Sequence, residues 1–207
     1  NQRLLVAGLG RLKIKWSRHV PDVPTTVTVI RKPSGRYFVS LVVDVEPAPL
    51  PETGAAVGVD FGISRLATLS SGERIPNPKY LARYQKQLKR QQQALARKTR
   101  GSNRYKRQKR RIARLHEKIA DSRADTAKKL AWSLVTRYDT ICVEDLNLRG
   151  MVQNHNLARS LSDAGIGQAI QTIETKAAMH GKAVTRIDRF FPSSKLCSAC
   201  GRLQSHM

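Results

Sequence analysis

Two acidic residues each end a short apolar segment, a position from which a β-sheet can present a carboxylate. Asp60 follows the apolar run 56–59, and Glu144 follows the run 141–143. Small and β-branched apolar residues predict a buried strand in both places. If the two strands are neighbours, their carboxylates meet at the edge of the sheet, where hard oxygen ligands suit Mg²⁺ or Mn²⁺ and two-metal phosphoryl transfer. For Asp60 taken alone, a turn-capping role is the alternative interpretation.

Apolar patterns also predict the elements that surround these acids. After Asp60 we expect two more strands, at residues 65–69 and 74–75. After Glu144 we expect a polar loop at 147–156, a long helix at 157–181 and a last strand at 183–187. Because successive strand residues point to opposite faces, Asp145 is expected to face away from Glu144 and to have only a structural role in the loop.

The net charge is the most unusual feature of the composition. The 207 residues include 38 Lys and Arg against 15 Asp and Glu, a formal charge of +23, while 40% hydrophobic residues suffice for a folded core. Such an excess of positive charge favours a polyanionic partner. No apolar run approaches the roughly 18 residues of a membrane-spanning helix, and no signal peptide opens the chain. We therefore expect nucleic acid, and no membrane, as the partner.

Much of the positive charge lies in two predicted helices. Apolar residues at helical spacing predict helices over about residues 79–98 and 103–137, paired as a hairpin. Between Lys79 and Lys118 there are sixteen Lys or Arg and one acid, Glu117. Solvated helical faces usually mix both signs, so we expect this basic segment to contact nucleic-acid backbone. The residues predicted to bind nucleic acid are Lys86, Lys89, Arg90, Arg97, Lys98, Arg100, Arg104, Lys106, Arg107, Lys109, Arg110, Arg111 and Arg114.

The first 50 residues predict part of a β-barrel. Strand patterns at residues 12–16, 26–30 and 37–43 include a hairpin, but they are too few for an independent domain. Trp16, Tyr37 and Phe38 could stack on RNA bases, although aromatic residues in a small β-module are more often part of the core.

Three cysteines and the lack of an export signal indicate a reduced, cytosolic setting. Cys142 lies in the apolar run before Glu144 and is expected to be a small buried residue. Cys197 and Cys200 form a CxxC pair, which supplies two of the four ligands that a structural zinc site needs.

Four motifs, in this order, resemble those of the transposon-encoded TnpB proteins, which are relatives of the compact type V CRISPR effector nucleases. They are Val57-Gly58-Val59-Asp60-Phe61-Gly62, the basic helical segment, Val143-Glu144-Asp145-Leu146, and the run 193–201 that contains the CxxC pair. The resemblance implies an α/β, RNase H-like RuvC nuclease core that cleaves DNA under the direction of a guide RNA in a prokaryotic cytoplasm. It implies that Asp60 and Glu144 are the first and second catalytic acids, and that Cys197 and Cys200 are half of a zinc ribbon.

The resemblance also implies a division into domains. Residues 1–50 would be a partial, wedge-like β-barrel, residues 51–192 a RuvC-like domain with a basic helical insertion at about 79–137, and residues 193–207 a truncated zinc ribbon.

The sequence departs from the family pattern at its C-terminal end. The pattern continues with a second CxxC and a third catalytic Asp, and this chain stops at Met207 before either. We therefore expect poor or no DNA cleavage by the 207-residue chain alone, and a zinc site only if the ribbon is completed. The main alternative is a nuclease-inactive, RNA-guided DNA-binding protein of the repressor type. A junction resolvase, which shares the fold, is a further alternative.

Overall fold

A computed structural model describes residues 3–188, which form two compact units. One unit contains the described residues up to Pro47 together with Gln87–Glu117. The other contains Ala48–Lys86 together with the described residues from Lys118 onward. The first unit thus groups the middle of the basic segment, which the sequence placed in the nuclease domain, with the N-terminal strands. The predicted zinc ligands Cys197 and Cys200 lie outside the described residues.

Two antiparallel strand pairs make up the N-terminal part of the first unit. Strand β1 (Arg3–Val6) pairs with β2 (Gly10–Lys13), and β3 (Thr26–Arg31) pairs with β4 (Tyr37–Val42). The β3–β4 hairpin was predicted and is confirmed, and its turn contains Gly35 at a φ of +82°. The strand predicted at residues 12–16 is instead the shorter β2. Within residues 3–188 the two pairs are separate sheets, and the partial barrel stays a prediction.

The second unit contains a mixed five-stranded sheet. Its strands are β5 (Ala56–Phe61), β6 (Arg65–Leu69), β7 (Arg74–Pro76), β8 (Thr140–Glu144) and β9 (Ala183–Ile187). Their order in the sheet is β7-β6-β5-β8-β9, in which β7, β6 and β5 are antiparallel and β5, β8 and β9 are parallel. All five strands lie where the apolar patterns predicted them, to within about two residues at each end.

Five helices complete the described chain. They are α1 (Tyr80–Ala96), α2 (Asn103–Arg137), α3 (Leu148–Gln153), α4 (His155–Ala164) and α5 (Ile166–Met179). The two basic helices α1 and α2 were predicted and are confirmed. The predicted loop at 147–156 and the single helix at 157–181 are wrong, because the side chains of Asn147 and Asn154 cap α3 and α4. Gly165, at a φ of +68°, then separates α4 from α5.

One face of the sheet carries the hydrophobic core. Val57 and Val59 of β5 and Ile141 and Val143 of β8 are almost fully buried, and apolar residues of α2, α4 and α5 pack against them. The intervening residues are exposed or half-buried, as the alternation of a β-strand requires. These residues lie on the opposite face of the sheet, which we call the outer face; they are Ala56, Gly58 and Asp60 of β5 and Thr140, Cys142 and Glu144 of β8. The predicted burial of Cys142 is therefore wrong, since this residue is half-buried on the outer face.

Asp163 of α4 caps the N-terminus of α1. Its buried carboxylate accepts hydrogen bonds from the backbone N–H groups of Leu81 (2.7 Å) and Ala82 (3.0 Å), and Nη2 of Arg123 lies 3.5 Å away. Since α1 has no acidic residue in its own first turn, a neighbouring helix supplies the acceptor and the negative charge that its N-terminus needs.

We expect Asp163→Ala to lower the free energy of unfolding by about 2 kcal/mol, because two N–H groups lose their acceptor. Urea denaturation followed by circular dichroism measures this change. Asp125→Ala is the matched control, since it removes a carboxylate that pairs with Lys129 on an exposed helix surface and should have a much smaller effect. Equal losses in the two variants would contradict the capping role.

Candidate functional site

Strand pairing places Asp60 and Glu144 side by side. Strands β5 and β8 are parallel, and Val59 pairs with Val143. Asp60 and Glu144, which directly follow these two residues, are therefore neighbours across the sheet. Adjacent strands lie about 4.8 Å apart, and paired residues of parallel strands share a face. The sheet therefore places both residues side by side on the outer face, where Asp60 is exposed and Glu144 is half-buried.

Two further residues lie in the same row across the sheet. Thr68 of β6 pairs with Asp60, and Arg74 of β7 pairs with Thr68. Arg74 is exposed, and a guanidinium group at this position is suited to bind a phosphate close to the two acids. The sequence pattern did not single out Arg74, because its place depends on the register of three strands rather than on its own surroundings in the chain.

The donor groups fit a hard divalent cation. Two carboxylates on neighbouring strands offer the oxygen ligands that Mg²⁺ and Mn²⁺ prefer, and the exposure of Asp60 leaves space for water ligands. Within residues 3–188, no group of three or more His, Cys, Asp or Glu side chains is placed to hold a metal ion. The described part of the chain thus contributes two carboxylates to the candidate site.

Asp145 lies on the other side of the sheet from this pair, as the alternation predicted. Arg186 of β9, which pairs with Val143 of the core face, approaches the Asp145 carboxylate at 3.5 Å. Arg186 also donates to the Glu174 carboxylate of α5 at 2.6 Å. Asp145 therefore takes part in an ion-pair cluster between the sheet and α5, although it follows Glu144 directly.

A cluster around Asp139 joins the N-terminal ends of the three parallel strands. Asp139, just before β8, accepts hydrogen bonds from the N–H groups of Thr53 (2.8 Å) and Gly54 (2.6 Å), which precede β5. It also accepts a hydrogen bond from Nζ of Lys182, which lies just before β9. The same Nζ donates a second hydrogen bond, to the carbonyl of Pro51. The cluster holds the strands in the register that sets Asp60 beside Glu144.

The pKa of Asp139 is lowered to about 2 from the usual 3.8, mainly by the hydrogen bond from Lys182 and further by those from Thr53 and Gly54. Because the folded-state pKa lies below the unfolded-state value, ionised Asp139 stabilises the fold above about pH 4, and this contribution is lost as the pH falls toward 2.

We expect Asp139→Asn to lower the melting temperature at neutral pH and to make it less dependent on pH between about 4 and 2. Thermal unfolding measured across this range tests the prediction. Asp125→Asn serves as the control, because that carboxylate is exposed and its variant should keep the wild-type acid dependence. An unchanged acid dependence in Asp139→Asn would contradict the assigned role.

The thirteen basic residues predicted to bind nucleic acid lie on α1, α2 and the turn between them. Twelve of them are exposed and Lys98 is half-buried. Within the described residues, none of the thirteen forms an ion pair with a carboxylate. Arg114 has a structural contact as well, since its Nε donates to the carbonyl of Ser34 in the β3–β4 turn at 3.3 Å.

Glu117, the one acid between Lys79 and Lys118, does not neutralise these residues. Its buried carboxylate faces the β3–β4 turn, with Nζ of Lys32 at 3.4 Å and Nη1 of Arg36 at 3.7 Å. The negative charge of Glu117 is thus used to hold the turn against α2. The thirteen cations keep their full positive field for an anion from outside.

Three aromatic residues of the N-terminal part of the chain are more exposed than expected. Trp16, Tyr37 and Phe38 are 42%, 65% and 38% exposed in the described structure, so the predicted core role is wrong here. Arg31 lies over the Tyr37 ring, and Lys32 lies 4.6 Å from the centre of the Phe38 ring.

None of the helices within residues 3–188 combines the length and the apolar character that crossing a membrane requires.

Two protein-family models match the chain. The model OrfB_IS605, described as "Probable transposase", matches residues 40–155, which is more than half of the sequence. The model Cas12f1-like, TNB domain, matches residues 167–207.

Several curated bacterial proteins are similar over almost the whole chain. One from Streptomyces pristinaespiralis, named "Putative RNA-guided DNA endonuclease", is 44% identical over 95% of this chain and 49% of its own length. Proteins with names of the same kind from Mycobacterium tuberculosis and Escherichia coli K12 are 35% and 30% identical, over 98% and 97% of this chain and 44% and 54% of their own lengths. The chain thus spans about half the length of the curated relatives it matches.

A solved structure of the Cas12f1–sgRNA–target DNA complex has a similar fold. The match has a TM-score of 0.50 at 19% sequence identity and covers 86% of this chain and 45% of that chain. It supports the mixed α/β arrangement of sheet and helices described above.

Proposed function

The chain belongs to the OrfB_IS605 family of probable transposases, and from this we propose that it is the nuclease core of an RNA-guided, metal-dependent DNA endonuclease. Three relatives with names of this kind, at 30–44% identity, support the proposal. The observation that carries it is the placement of Asp60 and Glu144 on paired strands of one sheet, facing away from the core. In this proposal the five-stranded sheet is an RNase H-like RuvC domain.

The proposed reaction is hydrolysis of a DNA phosphodiester bond. Asp60 and Glu144 would hold Mg²⁺ or Mn²⁺, which supplies an activated water and stabilises the leaving oxygen. The chain's own residues prepare the site for this substrate. Two residues before the acids, the outer face carries only small groups, because the side chain of Ser70 lies against Gly58 and Cys142 is the next residue across the sheet; a DNA backbone could approach over them. Arg74 would bind a phosphate of the DNA strand being cleaved and fix the position of that strand relative to the acids.

The basic segment is assigned to the guide RNA. Thirteen cations with no carboxylate partner in the described structure suit the phosphates of a structured RNA. In a guide-directed enzyme, base pairing between guide and target selects the sequence, so the protein needs mainly backbone contacts. The similar Cas12f1 structure is itself a complex with sgRNA and target DNA, which supports this choice of partners.

The test is programmable cleavage by the protein expressed from its complete reading frame. The RNA that copurifies with it is sequenced, its target-complementary part is replaced, and plasmids with and without the matching sequence are incubated with the complex in Mg²⁺. We expect linearisation of the matching plasmid only, and its loss in EDTA. Binding of the matching plasmid without cleavage would identify a nuclease-inactive, RNA-guided DNA-binding protein. Cleavage that ignores the guide and selects branched DNA would indicate a junction resolvase.

A further inference from the structure

An exposed tryptophan lies among basic residues on the helical side of the second unit. Trp132 of α2 is 47% exposed, although its neighbours Ala131, Leu134 and Val135 are fully buried. Tryptophan is enriched at binding interfaces, because its large ring is apolar and its N–H group is a hydrogen-bond donor.

The Trp132 ring is held in place from one side. The imidazole of His180 meets it edge-on, with ring centres 5.4 Å apart and an angle of 72° between the planes. His180 is itself fixed, because its backbone N–H donates to the carbonyls of Lys176 and Ala177 at the end of α5, and its Nδ1 lies 3.2 Å from the Ala48 carbonyl. The result is a rigid aromatic surface with little conformational freedom to lose on binding.

The charges around this ring are positive. Nζ of Lys176 lies over one face of the Trp132 ring, 6.0 Å from its centre, and Lys128 is one helical turn before Trp132 on the same side of α2. The nearby acids are engaged elsewhere, since Asp125 pairs with Lys129 and Glu174 pairs with Arg186. An indole ring with a lysine over one face and a second lysine nearby fits a ligand that has a negative charge and a flat ring, which would stack on the other face.

We propose that Trp132, with Lys176 and His180, binds an unpaired nucleotide of a single strand by stacking the base on the indole ring and placing its phosphate beside the cations. A base in a duplex is already stacked on both sides and offers no free face, so the site distinguishes single-stranded from double-stranded segments. This surface is separate in sequence from the thirteen basic residues assigned to the guide RNA. The proposal concerns binding only, and it stands whether or not the protein cleaves DNA.

The chain has two tryptophans, Trp16 and Trp132, so the fluorescence of the proposed site can be isolated. In a Trp16→Phe variant, titration with a 12-nucleotide oligouridine should quench the remaining emission in parallel with binding followed by fluorescence anisotropy of labelled RNA. In a Trp132→Phe variant, the emission of Trp16 should change much less. The same titrations with oligothymidine show whether the site prefers RNA or DNA.

Trp132→Ala tests the contribution of stacking to affinity. We expect about tenfold weaker binding of the single-stranded oligonucleotides and little change for a 12-base-pair duplex, which lacks an unpaired base. Lys176→Ala should weaken single-strand binding without abolishing the quenching. Circular dichroism and light scattering establish that each variant is folded and of unchanged oligomeric state. Binding without quenching, an equal loss for duplex and single strand, or a dimer that Trp132→Ala dissociates would overturn the proposal.

Discussion

Asp60→Asn is expected to reduce guide-directed DNA cleavage by about a thousandfold or more and to leave guide-RNA binding unchanged. The substitution keeps the size of the side chain but removes one of the two negative charges that would hold the metal ions beside Glu144. A thousandfold change in rate corresponds to about 4 kcal/mol of transition-state stabilisation. Cleavage under single-turnover conditions by the protein expressed from its complete reading frame, with RNA binding measured on the same preparation, tests the prediction.

Glu144→Gln should have a comparable effect, and the double variant should be little worse than either single one, because both acids serve the same metal ions. Asp145→Asn is the matched control. It makes the same change in charge one residue after Glu144, but its carboxylate contacts Arg186 on the core side of the sheet. Near-normal cleavage by Asp60→Asn, or an equally severe loss in Asp145→Asn, would show that the outer-face acids are not the catalytic ones.

Reversing two charges on α2 is expected to weaken guide-RNA binding by about a hundredfold at low salt. We choose Lys106→Glu with Lys109→Glu, since both side chains are exposed and neither has a carboxylate partner in the described structure. The loss of two phosphate contacts should also reduce the slope of log affinity against log salt by about 1.4, at about 0.7 for each contact with a single strand. Filter binding over a range of salt concentrations measures both quantities.

The conservative double variant Lys106→Arg with Lys109→Arg is the control, because it keeps both charges and should bind RNA with the wild-type salt dependence. Arg110 and Arg114 are less suitable positions, since Arg110 packs against Gly35 and Arg114 donates to Ser34, so their loss would also disturb the β3–β4 turn. If reversal at 106 and 109 leaves affinity and slope unchanged, α2 is not the RNA-binding surface.

The strands and the two basic helices could be predicted because each has a local pattern strong enough to identify it. The apolar run before Asp60 is bounded by Gly62, and α1 and α2 repeat their apolar residues at helical spacing. The helices after Glu144 were predicted less well. Apolar residues continue at helical spacing through Gly165, so only its positive φ and the capping asparagine Asn154 reveal the breaks between α3, α4 and α5.

The two acids of the candidate site could be predicted from the sequence more easily than their arrangement in space. Each acid could be recognised by its place at the end of an apolar run, but the pairing of β5 with β8 depends on contacts between distant parts of the chain. The cluster in which Asp139 joins Thr53 to Lys182 is one of these contacts. Arg74 was not predicted for the same reason, since only the register of β6 and β7 connects it with Asp60.

The parallel pairing of β5 with β8 has a consequence for the order in which the chain folds. Asp60 and Glu144 are 84 residues apart, and the loop that their pairing closes contains both basic helices. Helices form from local contacts within about a microsecond, whereas parallel pairing of distant strands is slow, because the entropy of loop closure is lost before the contacts form. Mutual repulsion among the cations in the loop opposes closure further. A chain emerging from the ribosome would therefore present its cationic helices to a polyanion before its two acids have met.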